Sequence, residues 1–272
     1  MRATIIGVGS LGTIIGALMT AKGKMVDLID SYQENVDALN NNGATITGFM
    51  ELNVPVRAYT PEQMTGLYDL VFLLNKQTAN AAVLQHLLPY LHKDSIVCTL
   101  QNGIPEESVA AVVGRARTIG GAVGFGATWI KPGVSALTTT KEAVEKFAFE
   151  IGELDGIVRP RLTKVQEYLQ CVGKTDILTD LMGIRYAKVL MNATFSGMSA
   201  ALGCTFGDVL SDPRAMTCVA FIANECLKVS HANGIRMARM QGEDFQQFAL
   251  EKAEDIPSKM PLYQKIWGQH VK

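Results

Sequence analysis

Short apolar runs alternate with amphipathic segments through the first two thirds of the chain. The first run, Thr4-Ile5-Ile6, is β-branched, which is typical of a strand buried on both faces of a parallel sheet. Strands that alternate with helices predict a doubly wound α/β domain, in which ligands bind at the carboxyl ends of the parallel strands. The predicted strands cover residues 4–6, 25–29, 69–74, 95–100, 118–123 and 176–178, with polar β-like segments at 134–140 and 148–150.

Strand signals end after residue 178, where Thr179-Asp180 forms a suitable N-cap pair for a helix. The pattern therefore predicts an α/β domain over residues 1–178 and an all-helical domain over residues 179–272. Pro257 and Pro261 are expected to break the helical tail, because proline interrupts a helix. The helices predicted in the second domain cover residues 181–201 and 213–233, followed by broken stretches within 242–272.

The first predicted strand leads directly into Gly7-Val8-Gly9-Ser10-Leu11-Gly12, a match to the pattern GxGxxG. Gly7 permits the tight turn out of the strand, Gly9 lets the backbone approach a pyrophosphate, and Gly12 lets the next helix pack closely on the sheet. Ser10 and Leu11 complete the loop. The amino end of the helix that follows offers N–H groups and a partial positive charge to phosphates. This context predicts dinucleotide binding.

The opening segment has two other interpretations. Its apolar stretch is similar to the core of a secretory signal peptide, but five glycines between residues 7 and 23 interrupt that stretch. It is also compatible with a glycine-rich turn in an α/β protein that binds nothing.

Polar residues follow three of the predicted strands. Asp30 lies eighteen residues beyond Gly12, close to the spacing at which an acidic residue binds the adenosine ribose hydroxyls. A carboxylate there would repel a 2′-phosphate, and the next two residues are uncharged, so NAD(H) is favoured over NADP(H). Lys76 and Asn102 are expected to face the cofactor; the alternatives are a solvated loop lysine and an ordinary Asn-Gly turn.

Lys188, Asn192 and Ser196 are spaced i, i+4 and i+8 within the predicted helix 181–201. At 3.6 residues per turn they form one polar stripe on a helix that is otherwise apolar or small. The stripe is either a solvent-exposed face or a set of functional groups. A lysine on a helix that is largely buried needs a partner or a task.

Composition excludes several classes of function. The net charge is −1 and there is no dense run of Lys or Arg, which argues against nucleic-acid binding. No stretch of about twenty apolar residues is present, so no membrane association is expected. The four histidines (His86, His92, His231, His270) show no metal-ligand spacing, and no metal is predicted. Five scattered cysteines (Cys98, Cys171, Cys204, Cys218, Cys226) predict reduced core residues of a cytoplasmic protein.

Together these features resemble the ketopantoate reductase (2-dehydropantoate 2-reductase) family, within the wider 6-phosphogluconate dehydrogenase-like group. The resemblance implies a Rossmann domain joined to a helical domain, in an enzyme of pantothenate biosynthesis. Such an enzyme transfers hydride from NAD(H) or NADP(H) to a small 2-keto acid. The matching pieces are the glycine motif, Lys76, Gln101-Asn102-Gly103, the segment from Gly121 to Pro132-Gly133, and Lys188-x-x-x-Asn192.

The resemblance also implies roles for single residues. Lys188 matches the general acid, whose ammonium group protonates the ketone oxygen. Asn102 and Asn192 match asparagines that help to hold cofactor and substrate, and Lys76 matches a lysine of the cofactor cleft. Ser196 stands where family members commonly have an asparagine, and we expect it to bind substrate as well.

The chain departs from the family in two further places. Asp30 occupies the region where many members carry an arginine for the NADP phosphate, which agrees with the NAD(H) expectation. A later family segment with a serine, an aspartate and a glutamate is not found, so the helical domain is expected to be truncated at its C-terminal end. Two alternatives therefore stay open: a 3-hydroxy acid dehydrogenase of the same superfamily, or a dinucleotide-binding protein without turnover. The apolar helical domain also suggests a homodimer.

Overall fold

The computed structural model describes residues 1–240 and 242–268. Its contacts divide the chain into two compact units, Met1–Leu181 and a unit that begins at Met182. The first unit is α/β and the second is helical, which confirms the predicted fold class. The strands are β1 (Ala3–Ile6), β2 (Val26–Ile29), β3 (Ala44–Gly48), β4 (Leu52–Val54), β5 (Arg57–Tyr59), β6 (Tyr68–Leu73), β7 (Leu91–Thr99), β8 (Thr118–Val123), β9 (Ala127–Lys131), β10 (Val134–Leu137), β11 (Phe149–Gly152) and β12 (Thr175–Leu178).

Eight strands form the main sheet of the first unit, in the order β12-β11-β8-β7-β6-β1-β2-β5. Neighbouring strands are parallel except β11 and β8, which are antiparallel. Helices cover both faces of the sheet, because its central strands are apolar on both sides. The helices of this unit are α1 (Ser10–Ala21), α2 (Gln33–Asn42), α3 (Asn80–Leu87), α4 (Glu106–Val113), α5 (Lys141–Lys146) and α6 (Pro160–Leu169), with 3₁₀ turns at Pro61–Gln63, Gln77–Ala79 and Leu88–Tyr90.

A second sheet, in the order β4-β3-β10-β9, belongs to the same unit and differs from the sequence-based expectation. Only β10 falls within a predicted polar segment. The other strands of this sheet, β3, β4 and β9, were not predicted, nor was β5 of the main sheet. β4 and β5 have three residues each, too few to show a period, and four of the five residues of β9 are exposed. The other polar segment, 148–150, corresponds to β11, which joins the main sheet instead.

Asp27 is an ion-pair partner inside the first unit, although it lies only three residues before the candidate Asp30. Its side chain is buried. One carboxylate oxygen accepts a hydrogen bond from the Arg2 guanidinium group at 2.9 Å, and the other forms an ion pair with the Arg57 guanidinium group at 2.9 Å. The Tyr68 hydroxyl donates to the same carboxylate at 3.3 Å. Burial, and then the Asp27 charge, raise the pKa of Tyr68 above its usual range. Asp27, on β2, therefore connects Arg2 near the start of the chain with Arg57, the first residue of β5.

The second unit is built around an aromatic core. Its helices are α7 (Leu181–Met191), α8 (Gly197–Leu202), α9 (Phe206–Ser211), α10 (Pro213–Ala232) and α11 (Ile256–Trp267), with 3₁₀ turns at Phe245–Phe248 and Ala253–Asp255. Phe195 stacks on Trp267 with ring centroids 4.4 Å apart and an interplanar angle of 20°, and both rings are buried. This contact connects the first long helical segment of the unit with its last one.

The helix predicted over residues 181–201 is not uniform. A π-helical turn at Asn192–Ser196 lies between α7 and α8, and the Gly197 N–H donates to the Asn192 carbonyl, five residues earlier. The Thr194 hydroxyl donates to the Leu190 carbonyl at 2.7 Å, beside this turn. Phe195, the ring that stacks in the core, lies within the turn. A wide turn of this kind changes the angular spacing of side chains that follow it.

The expectation that Pro257 and Pro261 break the tail is wrong, since both lie within α11. Pro257 is in the first turn, where a backbone N–H has no intrahelical acceptor, so its missing donor costs little. Pro261 is in the helix interior, where the missing N–H removes one backbone hydrogen bond. The packing of Tyr263, Ile266 and Trp267 in the core outweighs that loss.

The described residues can be compared with the expectations for membrane spans, metal ligands and cysteines. None of their helices is both long and apolar enough to cross a membrane, and no group of three or more His, Cys, Asp or Glu side chains could hold a metal ion. His270 lies outside the described residues. All five cysteines are free, but Cys218 is exposed and is therefore not a core residue; only Cys98 is fully buried.

The position of Pro261 generates a stability prediction. Because Pro261 is exposed and interior to α11, Pro261→Ala restores a backbone donor without removing a buried contact. We expect the free energy of unfolding to rise by about 1–2 kcal/mol, measured by urea denaturation. Pro257→Ala is the matched control in the first turn and should give no gain. Equal effects of the two substitutions would contradict this account.

Candidate functional site

The carboxyl ends of four adjacent strands meet at one edge of the main sheet. In the β1–β2 and β1–β6 pairs, Ile6 is opposite Ile29 and Leu73, the last residues of β2 and β6. Leu73 is opposite Thr99, the last residue of β7. The four strands therefore end in one row, and the segments that follow them lie side by side. Sequence analysis placed Gly7–Gly12, Asp30, Lys76 and Asn102 just beyond these four ends.

The glycine loop after β1 leaves no room for side chains at two of its three glycines. Gly7 has a φ of +93°, and a Cβ there would lie 2.4 Å from the Asn75 backbone nitrogen. A Cβ at Gly12 would lie 2.2 Å from the Gly7 carbonyl oxygen. At Gly9, by contrast, a Cβ would meet no heavy atom within 4 Å. Gly7 and Gly12 are thus required by the fold, whereas Gly9 borders open space.

Helix α1 begins directly at this loop. Gly9 is its N-cap, and no side chain of the described residues caps the helix. The Thr13 hydroxyl donates to the Gly9 carbonyl at 2.8 Å and so holds the loop against the first turn. Ser10 and Leu11, the first two residues of the helix, are partly exposed. The amino end of α1 therefore presents backbone N–H groups and a partial positive charge next to the open side of Gly9.

Asp30 joins the end of β2 to the glycine loop. One carboxylate oxygen accepts from the Val8 N–H at 2.9 Å, and the other accepts from the Tyr32 N–H at 2.9 Å. The oxygen that accepts from Val8 also accepts from the Asn35 side-chain amide at 3.3 Å. The side chain is partly exposed, and the oxygen that accepts from Tyr32 keeps a second lone pair for another donor. Asp30 is consequently fixed in orientation before any ligand binds.

Asn35 is a second connection to the same loop, and sequence analysis missed it. Its buried amide donates to the Val8 carbonyl at 2.9 Å and accepts from the Gly133 N–H at 2.8 Å. Gly133 lies in the turn between β9 and β10, so this amide ties the glycine loop to the second sheet. A single asparagine in the first turn of α2 gives no periodic or motif signal that could have revealed it.

Lys76 and Asn102 lie on the two remaining loops of the row, and both are exposed. Lys76 is the residue before the 3₁₀ turn Gln77–Ala79, three residues beyond the end of β6. Asn102 precedes Gly103, which has a φ of +85°. The Gln77 side chain donates to the Asn102 carbonyl, so the two loops are in direct contact.

An apolar cleft of 300 Å³ opens beside the ends of β1 and β2. Ile6 and Ile29 form its floor, and α3 and the turn Pro61–Gln63 supply its walls. His86 is part of one wall and its ring nitrogen contacts the Pro61 carbonyl at 2.9 Å. The cleft lies at the same sheet edge as Asp30, which directly follows Ile29.

In the second unit, Lys188, Asn192 and Ser196 lie on the side of their helical segment that faces away from its core. Ala187, Leu190 and Phe195 are buried in that core. Lys188 is half-buried, whereas Asn192 and Ser196 are exposed. Lys188 lies in the regular helix α7, whereas Asn192 and Ser196 are the first and last residues of the π-helical turn. The stripe is thus less regular than its spacing predicts.

Two family models match this chain. "Ketopantoate reductase PanE/ApbA" matches residues 3–153, and "Ketopantoate reductase PanE/ApbA C terminal" matches residues 180–262. The chain belongs to the ketopantoate reductase family. Membership makes it an oxidoreductase, and NAD(P) dependence is general in the family. The first model includes the four strand-end segments, and the second includes the polar stripe.

Individual members of the ketopantoate reductase family are similar along nearly the whole chain. The 2-dehydropantoate 2-reductase of Pyrococcus horikoshii is 26% identical in an alignment of 272 positions, gaps included. The alignment covers 98% of this chain and 85% of that protein. A family ketopantoate reductase from Ralstonia eutropha has a TM-score of 0.79 at 17% identity and covers 98% of this chain and 93% of its own. D-Mandelate dehydrogenase with NADH and anilino(oxo)acetate has a TM-score of 0.80 at 21% identity, covering 100% and 87%.

The three glycines generate a prediction about stability that separates fold from function. Gly7→Ala and Gly12→Ala each place a Cβ within 2.4 Å of a backbone atom, and Gly7→Ala also requires a positive φ. We expect each to lower the free energy of unfolding by at least about 2 kcal/mol. Gly9→Ala should stay within about 0.5 kcal/mol of wild type. Urea denaturation of the three variants measures this, and a severe loss for Gly9→Ala would contradict it.

Proposed function

We propose that the protein transfers hydride from a nicotinamide dinucleotide to a small 2-keto acid similar to ketopantoate, with Lys188 as general acid. The observation that carries this proposal is the row of four strand ends, where an open glycine loop, a fixed carboxylate, a lysine and an asparagine share one edge of a parallel sheet. Ligands of open α/β sheets bind at that edge.

The glycine loop fits a pyrophosphate. Its open side at Gly9 gives the space that a phosphate needs to approach the backbone, while Gly7 and Gly12 are already closed by the fold. The uncapped first turn of α1 supplies N–H donors there, from the backbone at Ser10 and Leu11. A bound nicotinamide dinucleotide supplies the hydride for the reduction.

The adenosine end of the dinucleotide fits the other side of the loop. Asp30 accepts a hydrogen bond from a ribose hydroxyl through the lone pair that remains on the oxygen bound by the Tyr32 N–H. The adjacent cleft of 300 Å³ at Ile6 and Ile29 provides the apolar walls that suit an adenine ring. Lys76, in the loop after β6, offers a positively charged group to the phosphates or the ribose of the dinucleotide.

NADH is the expected cofactor because negative charge collects where a 2′-phosphate would lie. Asp30 places its carboxylate at the ribose position, and Glu34 follows four residues later in the first turn of α2. The Tyr32 hydroxyl donates to the Glu34 carboxylate and holds that group near the segment after β2. A phosphate at the 2′ position would be repelled by both carboxylates.

Lys188 has the chemistry of the proton donor. Its ammonium group donates to the ketone oxygen of the substrate and stabilises the negative charge that develops there. Asn192 and Ser196, exposed on the same helical segment as Lys188, offer amide and hydroxyl groups for the substrate carboxylate and hydroxyl groups.

Cofactor choice is the first prediction of this proposal. We expect the wild-type protein to bind NADH at least about tenfold more tightly than NADPH, measured as dissociation constants by fluorescence titration. Asp30→Asn removes the negative charge and should bring the two constants close together. Asp37→Asn is the control, since it removes the same charge from an exposed position further along α2. Tighter binding of NADPH by the wild type would overturn the role of Asp30.

Turnover is the second prediction. The protein is mixed with NADH or NADPH and a panel of 2-keto acids, including ketopantoate and an aryl 2-keto acid, while nicotinamide absorbance is followed. We expect consumption with at least one acid, and Lys188→Ala should lower kcat by about 10²–10⁴-fold without changing the NADH dissociation constant. Lys228→Ala, at an exposed position of α10, is the control. Binding of NADH without consumption would favour the alternative of a dinucleotide-binding protein without turnover.

A further inference from the structure

Three amide side chains form a hydrogen-bonded cluster beneath the loops that carry Lys76 and Asn102. The Gln101 amide donates to the Asn75 backbone carbonyl and to the Asn80 side-chain oxygen, both at 2.7 Å. The Asn80 amide donates back to the Gln101 side-chain oxygen at 3.1 Å. The Asn75 amide also donates to the Asn80 oxygen, at 3.0 Å. Gln101 is 4% exposed and Asn80 7%, so the two bonds between these side chains form away from water, whereas the bonds to Asn75 are partly buried.

The cluster joins segments that the strand ladder no longer holds together. Backbone bonding from β6 to β7 reaches only as far as Leu100, whose N–H donates to the Leu73 carbonyl at 3.0 Å. Beyond that point, Gln101 connects the β7 loop to the β6 loop through Asn75. Asn75 directly precedes Lys76, and Gln101 directly precedes Asn102. The separation of the two candidate ligand residues therefore depends on this buried side-chain contact together with the exposed contact from Gln77 to the Asn102 carbonyl.

The same cluster reaches the glycine loop. The Asn75 backbone lies so close to Gly7 that a Cβ at Gly7 would overlap it. A shift of the Asn75 segment consequently changes the wall against which the Gly7 turn is packed. Three of the four strand-end segments are in this way coupled through one buried glutamine.

Glutamine suits this position because it both donates and accepts. Its NH₂ group satisfies two acceptors, one of them a backbone carbonyl in a loop, and its oxygen accepts from Asn80 and from the Thr99 hydroxyl at 3.2 Å. The hydrogen bond to the partly buried Asn75 carbonyl favours the loop conformation in which this carbonyl is paired. An apolar residue of the same size would fill the space but leave that conformation unspecified.

We propose that Gln101 is a positioning residue for dinucleotide binding, which acts by holding the Lys76 and Asn102 loops in the conformation that accepts the cofactor. The inference rests on the proposed function. Loops that are ordered in advance lose less conformational entropy when a ligand binds. Loss of the Gln101 amide therefore weakens cofactor binding more than it slows the chemical step.

The test compares two glutamines that each donate to a backbone carbonyl. Gln101→Glu keeps the shape of the side chain and removes the NH₂ donor. Gln166→Glu is the matched control, because the Gln166 amide donates to the Thr175 carbonyl at 2.7 Å, between α6 and β12 at the far end of the sheet. Gln101→Met and Gln166→Met repeat the comparison without introducing a buried charge, in case the Gln101→Glu protein does not fold.

We expect the Gln101 variants to raise both the dissociation constant and the KM for NADH by about 5–100-fold, with kcat changed less than about threefold. Amide hydrogen exchange at residues 75–77 and 101–103 should be faster in the protein without cofactor. The Gln166 variants should lower the melting temperature but leave the dissociation constant and this local exchange unchanged.

The outcomes separate the inference from the proposed function. Wild-type NADH affinity together with wild-type exchange in Gln101→Met overturns the positioning role alone. An equal loss of affinity in Gln101→Met and Gln166→Met assigns Gln101 a general structural role and also overturns it. If the wild-type protein binds neither NADH nor NADPH, the proposed function fails, and the inference fails with it.

Discussion

The alignment of β7, β6, β1 and β2 at their carboxyl ends is the constraint on which the other features of the first unit depend. Residue pairing places the last residues of these strands in one row, so four loops from distant parts of the chain emerge next to one another. No loop supplies more than one or two functional groups. A parallel sheet thus gathers a carboxylate, a lysine, an asparagine and a helix amino end without any local sequence motif that contains them all.

Close packing between these loops makes two glycines of the motif necessary for the fold and leaves the third beside open space. Gly7 and Gly12 are required because backbone atoms occupy the space of their side chains, whereas Gly9 is free of such contacts. Asp30 and Asn35 then fix the loop from the side of β2 and α2, each through Val8. Since the groups that would contact a cofactor also hold one another, the site is largely formed before a ligand arrives, and its specificity depends on the same bonds as its shape.

The central strands of the main sheet were predictable because burial on both faces leaves continuous apolar runs, and the glycine motif, Asp30, Lys76 and Asn102 were singled out from their position after such runs. The second sheet was not predictable, because β4 has three residues and β9 is almost entirely exposed, so neither shows a period. Asn35 and the Asn80–Gln101 pair were missed for a related reason. Their importance comes from hydrogen-bond partners 21 to 98 residues away, which no local pattern encodes.

The helical unit shows where helical periodicity alone misleads. A spacing of i, i+4 and i+8 places Lys188, Asn192 and Ser196 in one stripe only if every turn has 3.6 residues. The π-helical turn at Asn192–Ser196 breaks that assumption, and its residue Phe195 stacks on Trp267, which lies 72 positions later in the chain. The turn that carries two of the candidate substrate-binding residues therefore also carries a central core contact. The packing of the aromatic core and the positions of these polar side chains therefore depend on the same turn. A substitution that converts the π-helical turn to regular helix would move Ser196 relative to Lys188.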